Sequence, residues 1–292
     1  MKAPSLLVAL ALAAPAPAAN IYIFASGDTQ TDSAVVQALT AYGHTCTLGV
    51  QYMHFDGTIS LAPYQAVYLQ ASANWYAGEL PAAGATQLRN WVQNGGRLVT
   101  SEWATYYSTP GEAFAGIATL LPLQPATAYS SADSTTFTRA TPDAVIGAGL
   151  PLTFLMPLTD YTGTEIYTVA KSGATTYYTT AGGTQYAGLA GWSRGSGSVF
   201  SFSTTGGPRQ FTNGFFPGLL SNVMGPIVRP PCYANCDSST TVPLLNTLDF
   251  ICFLNRFAAG DSYANCDGST TAPVLNVLDF SCYMNRFAGG CP

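Results

Sequence analysis

Two segments near the C-terminal end of the chain carry oxygen-bearing side chains at a spacing that suits a hard cation. They span residues 235–249 and 265–279, and each matches a calcium-binding loop if three extra residues stand between the fifth and seventh positions. The predicted ligands are Asn235, Asp237, Ser239, Asn246 and Asp249 in the first segment, and Asn265, Asp267, Ser269, Asn276 and Asp279 in the second. Calcium is therefore the cofactor that this pattern predicts.

A second interpretation of the same residues stays open. Each segment offers only two carboxylates, and Thr240 and Thr270 occupy the sixth position, where a calcium loop has glycine. Aspartate and asparagine side chains also start helices and close turns by accepting backbone hydrogen bonds. On this interpretation the residues cap helices and bind no metal ion.

Both segments belong to a tandem repeat. Residues 233–262 and 263–292 are identical at 20 of 30 positions, and a short unit repeated once packs against its copy to bury one shared core. Apolar residues recur at helical spacing late in each unit, at Phe250, Phe253 and Phe257 and again at Phe280, Tyr283 and Phe287. Each unit is predicted to be a polar loop followed by an amphipathic helix.

Six of the seven cysteines lie in the same region, residues 232–292. This density is typical of small extracellular domains that disulfides hold together. Zinc is disfavoured, because Cys232 and Cys236 have no second cysteine pair or histidine beside them. Cys46 stands far from the others in the sequence and is expected to stay unpaired and buried in a strand.

The repeated motif N-C-D-x-S-T-T-x-P-x-L-N-x-L-D-F and the final G-G-C-P resemble dockerins. The resemblance is to the cysteine-containing, duplicated dockerin-like anchors of secreted planctomycete-type proteins. It implies EF-hand-like calcium units and a cohesin-like or cell-surface anchoring partner. It also implies a place outside a bacterial cell or on its envelope.

The repeat narrows the disulfide pairings. Cys232 and Cys291 flank the array without counterparts in it, so they are expected to pair with each other. The remaining four can pair within units, as Cys236–Cys252 and Cys266–Cys282, or across them, as Cys236–Cys282 and Cys252–Cys266. Pairing within units is favoured, because a loop that returns to its own helix brings the two positions close in each copy alike.

The first residues have the features of a secretion signal. Lys2 precedes an apolar run over residues 6–14, and Ala16-Pro17-Ala18 matches a cleavage site. The run is too short to span a bilayer, and no later stretch is long enough. Residues 1–19 are predicted to be removed, which leaves a secreted or envelope-associated chain without a transmembrane segment.

Charge is scarce along the chain. Of 292 residues, 10 are basic and 15 acidic, for a net charge of −5. Nucleic acid is not an expected partner, because a phosphate-binding surface needs clustered lysine and arginine. The hydrophobic content of 48% supports a sizeable core and excludes a disordered chain.

Residues 20–224 alternate strands with helices. Strands are predicted at 21–25, 45–50, 66–70 and 97–101, and later, in part antiparallel, at 176–180 and 198–203. The first helix is expected to start at Asp32 or Ser33 and to end at Gly43, and a second to end at Gly95 and Gly96. This order predicts an α/β fold whose mostly parallel sheet has helices on both faces.

This part of the chain resembles the flavodoxin-like fold of class I glutamine amidotransferases, in the broad group that includes trehalose-utilization-type proteins. The resemblance lies in the order of the elements and in the stretches 21–30, 41–49, 63–70, 90–103 and 188–203. It implies a nucleophilic cysteine after the fourth strand and a histidine after a late strand. Ser101, Glu102 and Trp103 stand in the first place and residues 202–205 in the second.

Ligands of α/β folds bind at the carboxyl ends of the strands, which makes Asp28, Ser101, Glu102 and Trp103 the candidate ligand site. A serine nucleophile needs a neighbouring base, and the sequence has only two histidines, of which His54 could approach the strand ends. No spacing selects two of the carboxylates of Asp28, Asp56, Glu79, Glu102 and Glu112 as a glycosidase pair. The nearby rings of Trp75, Tyr76, Trp103, Tyr106 and Tyr107 would either stack on sugars or pack in the core.

These observations predict a secreted, anchored protein in four segments. They are a signal peptide (1–19), an amidotransferase-like α/β domain (20–224), a linker (225–231) and a small α-helical, disulfide-stapled, dockerin-like repeat (232–292). The α/β domain is interpreted as a non-catalytic binding or structural domain, with carbohydrate as a candidate ligand. The alternative is an extracellular hydrolase in polysaccharide degradation, with an acidic or serine active site at the strand ends.

Overall fold

A computed structural model describes residues 18–126, 128–129, 132–158, 167–225, 233–237, 239 and 245–289. The chain divides into two compact units, residues 1–226 and 227–292. Most of the predicted signal peptide and linker lies outside the described residues, as do Cys232 and Cys291. Within the described part, no helix is long and apolar enough to cross a membrane.

The first unit is a sheet of nine strands with helices around it. The strands are β1 (Asn20–Ala25), β2 (Thr45–Gln51), β3 (Ala66–Leu69), β4 (Arg97–Thr100), β5 (Ser134–Arg139), β6 (Thr153–Pro157), β7 (Thr175–Thr180), β8 (Gly183–Arg194) and β9 (Gly197–Phe202). The helices are α1 (Thr29–Ala41), α2 (Ala82–Gln93), α3 (Glu102–Tyr106), α4 (Pro208–Phe211) and α5 (Phe216–Met224).

The strand order is β2-β1-β3-β4-β9-β8-β7-β5-β6. The first five strands in this order are parallel, and the other four extend the sheet with antiparallel pairs. The predicted α/β fold is confirmed, including the antiparallel strands in the threonine-rich second half. A parallel order of this kind brings the carboxyl ends of β1, β3, β4 and β9 to one edge.

The sheet buries a hydrophobic cluster on each face, as alternating side chains require. On one face Ile21 and Ile23 of β1 pack with Val35 of α1 and Leu219 of α5. On the other face the intervening residues of β1 pack with Leu88 and Val92 of α2. Helices therefore cover both faces, as predicted.

Helix α1 begins earlier than the sequence indicated. Its N-cap is Asp28, whose carboxylate accepts hydrogen bonds from the N–H groups of Gln30 and Thr31. The predicted caps, Asp32 and Ser33, lie within the helix. The carboxylate of Asp32 instead accepts a hydrogen bond from the N–H of Ser26 at 2.8 Å, so it ties the helix to the end of β1.

The second unit contains the two predicted helices, α6 (Thr247–Ala258) and α7 (Val277–Gly289). The rings of Phe253 and Tyr283, one from each repeat, are fully buried and stack with centroids 4.0 Å apart. The rings of Tyr233 and Tyr263 also stack, at 4.8 Å, and each hydroxyl donates a hydrogen bond to the main-chain carbonyl of the other residue. The repeats thus bury one shared core.

Two disulfides join the loop of each repeat to its own helix. Cys236 is bonded to Cys252 and Cys266 to Cys282, with Cα atoms 5.7 and 5.8 Å apart. This is the within-unit pairing. Cys46 carries a free thiol and is half-buried in β2, an edge strand, so it is more exposed than predicted.

Candidate functional site

The carboxyl end of β4 places Ser101 and Glu102 in the interior of the α/β unit. Both side chains are fully buried. The Ser101 hydroxyl oxygen accepts a hydrogen bond from the N–H of Ala71 at 3.2 Å. Ser101 therefore bridges two strand ends, and Glu102 opens the short helix α3 beside it.

The segments that follow β3, β4 and β9 are hydrogen-bonded to one another. The N–H of Glu102 donates to the carbonyl of Thr204, and the hydroxyl of Ser72 donates to the carbonyl of Gly206 at 2.6 Å. Three separate parts of the chain thus build one closed polar layer over the sheet edge. Asp28 lies at the end of β1, and β3 separates that strand from β4.

Several buried side chains of this layer keep hydrogen-bonding capacity that the described residues do not use. The atoms concerned belong to Gln70, Thr105, Ser203, Thr204 and Gln210, all at most 1% exposed. A buried polar atom without a partner costs about 1–3 kcal/mol, so these atoms would be stabilised by a hydrogen-bonding partner such as a bound water or ligand. Gln210 was not predicted from the sequence, because nothing around it in the chain marks a short helix such as α4 as buried.

Neither histidine can serve Ser101 as a base. The Nδ1 of His44 accepts a hydrogen bond from the N–H of Ala19 at 3.1 Å, and its Nε2 lies 2.9 Å from the hydroxyl of Ser221. Since Nδ1 accepts, the proton sits on Nε2, which makes His44 a donor to Ser221. Burial also lowers the pKa of His44 and keeps the ring neutral. His54 follows β2, which is separated from β4 by two strands.

Two carboxylates near the strand ends are held ionised by neighbouring hydroxyls. The Thr31 hydroxyl, 2.6 Å from the Asp28 carboxylate, holds the pKa of Asp28 below its usual value. The Thr58 hydroxyl has the same effect on the pKa of Asp56. A glycosidase general acid needs a raised pKa, so neither residue suits that role.

An aromatic cluster lies beside this polar layer and is called the aromatic face. It consists of Trp75, Tyr76, Trp103, Tyr106, Tyr107 and Tyr129. Trp103 is 5% exposed and packs in the core, whereas Tyr76 and Tyr129 are 81% and 60% exposed. The two interpretations of these aromatics therefore apply to different members: the inner rings pack and the outer rings face solvent. Tyr129 was not among the aromatic residues predicted to lie here.

In the second unit, the hydrogen bonds of the polar loops follow the same pattern in both copies. The carboxylate of Asp279 accepts from the N–H groups of Asp267 and Asn276 at 3.2 and 2.9 Å. Asp249 accepts from the equivalent residues of the first copy at 3.3 and 2.9 Å. These bonds join the last carboxylate of each loop to the main chain of its first aspartate and also cap the helix, so helix capping is part of the observed structure.

One amide oxygen in each loop has no hydrogen-bond partner in the described part of the chain. The Oδ1 atoms of Asn235 and Asn265, the first predicted ligands, are buried and unpartnered, while their Nδ2 groups donate to the carbonyls of Ser239 and Ser269. Burial raises the pKa of Asp279, but hydrogen bonds from Asn276 and Asp267 outweigh it and leave the pKa below its usual value. An ionised carboxylate and an unused oxygen are a donor set that fits calcium.

The metal ligands that the two loops could offer are mostly uncharged oxygen atoms. Among residues that the structure describes, no three histidine, cysteine, aspartate or glutamate side chains are grouped so as to hold a metal ion. Each loop supplies two carboxylates, and any further ligands are amide, hydroxyl or carbonyl oxygens. The fit is therefore to a hard cation and not to zinc.

The sequence matches no protein-family profile and no curated protein. Among solved structures, the chain is similar to a cytoplasmic protein from Salmonella typhimurium, with a TM-score of 0.52, 11% identity, and coverage of 70% of this chain and 97% of the other. It is also similar to a protein described as ThuA-like from Bacteroides uniformis (TM-score 0.49, 13% identity, 76% and 94% covered). A third similar structure, from Thermoplasma acidophilum, is described as one of the subunits of a GMP synthase (TM-score 0.48, 11% identity, 70% and 92% covered). At these identities the likeness concerns the fold alone.

Proposed function

We propose that this protein is a secreted, anchored binding protein whose α/β domain has no catalytic activity. The observation that carries the proposal is the closed strand-end layer, in which Ser101 is buried, bonded to Ala71 and without a histidine beside it. An acyl-transfer site needs a nucleophile and a base within hydrogen-bond reach. The unpartnered buried atoms, among them those of Gln210, support binding, because they offer donors and acceptors to a ligand.

The alternative, an extracellular hydrolase, draws less support from the geometry. Its candidate carboxylates include Asp28 and Asp56, and both have a lowered pKa. A residue that stays ionised at neutral pH cannot donate the proton that a leaving group needs. The binding role is therefore preferred.

The absence of catalysis can be tested directly on the purified mature protein. With glutamine and with nitrophenyl glycosides as substrates, we expect no turnover above the buffer rate, and Ser101→Ala and Glu102→Gln should not differ from the unaltered protein. The measurement is ammonia or nitrophenol release. Turnover that disappears in either variant would contradict the proposal and support the hydrolase alternative. Turnover that is lost only in Cys46→Ala would identify Cys46 of β2 as the nucleophile.

The C-terminal unit is proposed to be a dockerin-like anchor that binds calcium and docks on a cohesin-like or other cell-surface partner. Asn235, Asp237 and Asp249 would hold one ion, and Asn265, Asp267 and Asp279 the other, with Ser239, Ser269, Asn246 and Asn276 as further oxygen donors. The repeat, the cysteines and the unused amide oxygens support this role. Calcium would neutralise the two carboxylates of each loop and rigidify the loop.

Calcium is expected to stabilise this unit by mass action. At a concentration 100 times the dissociation constant, the gain would be about 2.7 kcal/mol. The measurement is the resistance of residues 245–289 to proteolysis in calcium and in chelator, for the unaltered protein and for Asp237→Asn/Asp267→Asn. Asp261→Asn is the control, since Asp261 pairs with Arg256 outside both loops and should leave the calcium response intact. Equal resistance with and without calcium would leave only the capping role.

A further inference from the structure

We propose that the aromatic face of the α/β unit binds neutral polysaccharide chains, whose sugar rings stack on Tyr76 and Tyr129. The inference rests on the proposed function and deepens it, because it names the ligand class for the same edge of the sheet. The C–H groups on the flat side of a sugar ring are attracted to the electron-rich face of an aromatic ring, and the contact removes apolar surface from water.

The inner rings form a rigid base for the two exposed tyrosines. Trp75 and Tyr107 stack with centroids 5.3 Å apart and planes 11° from parallel. Trp75 also contacts Tyr76 at 5.4 Å, and Trp103 contacts Tyr129 at 5.8 Å. Because aromatic side chains have few rotatable bonds and the inner rings are already packed, the aromatic face would lose little conformational entropy on binding.

Polar groups beside the rings suit hydroxyls better than charged ligands. The buried indole N–H of Trp103 has no acceptor in the described structure. Burial, and then the neighbouring Tyr106 and Glu112, raise the pKa of Tyr107, so its hydroxyl stays protonated and can donate while the Glu112 carboxylate can accept. None of these residues carries a positive charge, which disfavours phosphate- or carboxylate-bearing ligands.

Proline-rich peptides are the main rival, since aromatic grooves also bind them. Such a groove needs slots between the rings into which prolines insert. Here Trp103 lies 5.3 Å from both Trp75 and Tyr106, and Tyr106 lies 4.9 Å from Tyr107. Rings at this separation already touch one another, so a proline ring cannot insert between the members of these pairs.

The test is depletion of the full-length mature protein from solution by amorphous cellulose, xylan, galactan and a β-1,3-glucan, with decaproline as the peptide arm. At least one polysaccharide should bind, and Tyr76→Ala/Tyr129→Ala should bind it about tenfold more weakly, the loss expected when stacking contacts are removed. The matched control is Tyr42→Ala. Tyr42 is 45% exposed but lies at the C-terminal end of α1, on the opposite edge of the sheet, and its removal should leave binding unchanged.

Three results would overturn the inference: no depletion by any polysaccharide, equal binding by the double variant, or binding of decaproline in place of polysaccharide. Sugar release from the bound polysaccharide is measured in the same samples. Release would contradict the proposed non-catalytic role while leaving glycan binding intact. Absence of both binding and release would contradict glycan binding but not the proposed non-catalytic role. The failure of one proposal is therefore distinguishable from the failure of the other.

Discussion

Removal of both described disulfides is expected to unfold the C-terminal unit and to leave the α/β unit folded. The variant replaces Cys236, Cys252, Cys266 and Cys282 with alanine. Each bond closes 16 residues of chain, and a loop of that size contributes about 3 kcal/mol. Together they contribute about 6 kcal/mol, more than the roughly 3–5 kcal/mol that a core of this size rarely exceeds, so the disulfides provide most of the stability of this unit.

The core of this unit explains why the loss would be large. Its buried cluster consists of Phe253, Tyr283, two alanines and the half-cystines Cys236 and Cys266. Removing the sulfur atoms therefore takes away part of the core as well as the cross-links. No other large side chain of the unit is fully buried among those described.

Hydrogen exchange of peptides from residues 245–289 measures the effect, because these residues hold both helices. Tryptophan fluorescence reports the other unit separately, since Trp75, Trp91, Trp103 and Trp192 all lie within residues 1–226. Cys46→Ala is the control and should change neither signal. Helices that stay protected in the four-alanine variant would show that the core is sufficient for folding.

A digest of the unaltered protein should also contain a peptide pair joined by a Cys232–Cys291 disulfide, the bond predicted from the position of these cysteines on either side of the repeat.

The parts of the fold that could be predicted from the sequence are those that local patterns determine. Strands β1 to β4 and the ends of α1 and α2 follow from apolar runs and from glycines such as Gly43, whose φ of +89° few other residues adopt. The within-unit disulfides agree with the expectation that each loop returns to its own helix, which favoured this pairing over the cross-unit one. The predicted start of α1 is four or five residues too late, because Asp28 and Asp32 are both suitable caps and only tertiary contacts decide between them.

The candidate site was less predictable because it depends on contacts distant in sequence. Ser101 and Glu102 could be placed at a strand end, but their burial arises from the segment after β9, about 100 residues later. The same holds for Gln210 and Tyr129, which join the site through strand order and loop packing. A pattern of residue types contains no information on which loop covers which strand end.

Arg97 is another residue whose environment is formed by parts of the chain that are distant in sequence. It begins β4, is only 7% exposed, and its Nη1 donates to the main-chain carbonyls of Val223 at 2.7 Å and of Gly225. These carbonyls lie at the C-terminal end of α5, where a helix leaves acceptors unused and favours a cation. Its Nε donates to Ser198 at 3.2 Å, and its guanidinium lies 5.2 Å from the ring centre of Phe200.

Arg97→Leu is therefore expected to lower the free energy of unfolding of the α/β unit by about 3 kcal/mol. Leucine relieves the cost of burying a charge, but it leaves the helix-end carbonyls without their donor, and hydrogen bonds to charged groups contribute about 1.5–3 kcal/mol each. The free energy of unfolding of Arg97→Lys should lie between those of the unaltered protein and of Arg97→Leu. One ammonium group cannot reach all of these acceptors as a guanidinium does. Denaturant unfolding followed by tryptophan fluorescence measures the change, with the exposed Arg209→Leu on α4 as the control that should shift by less than about 0.5 kcal/mol. An Arg97→Leu protein as stable as the Arg209→Leu protein would mean that Arg97 does not hold the end of α5 in place.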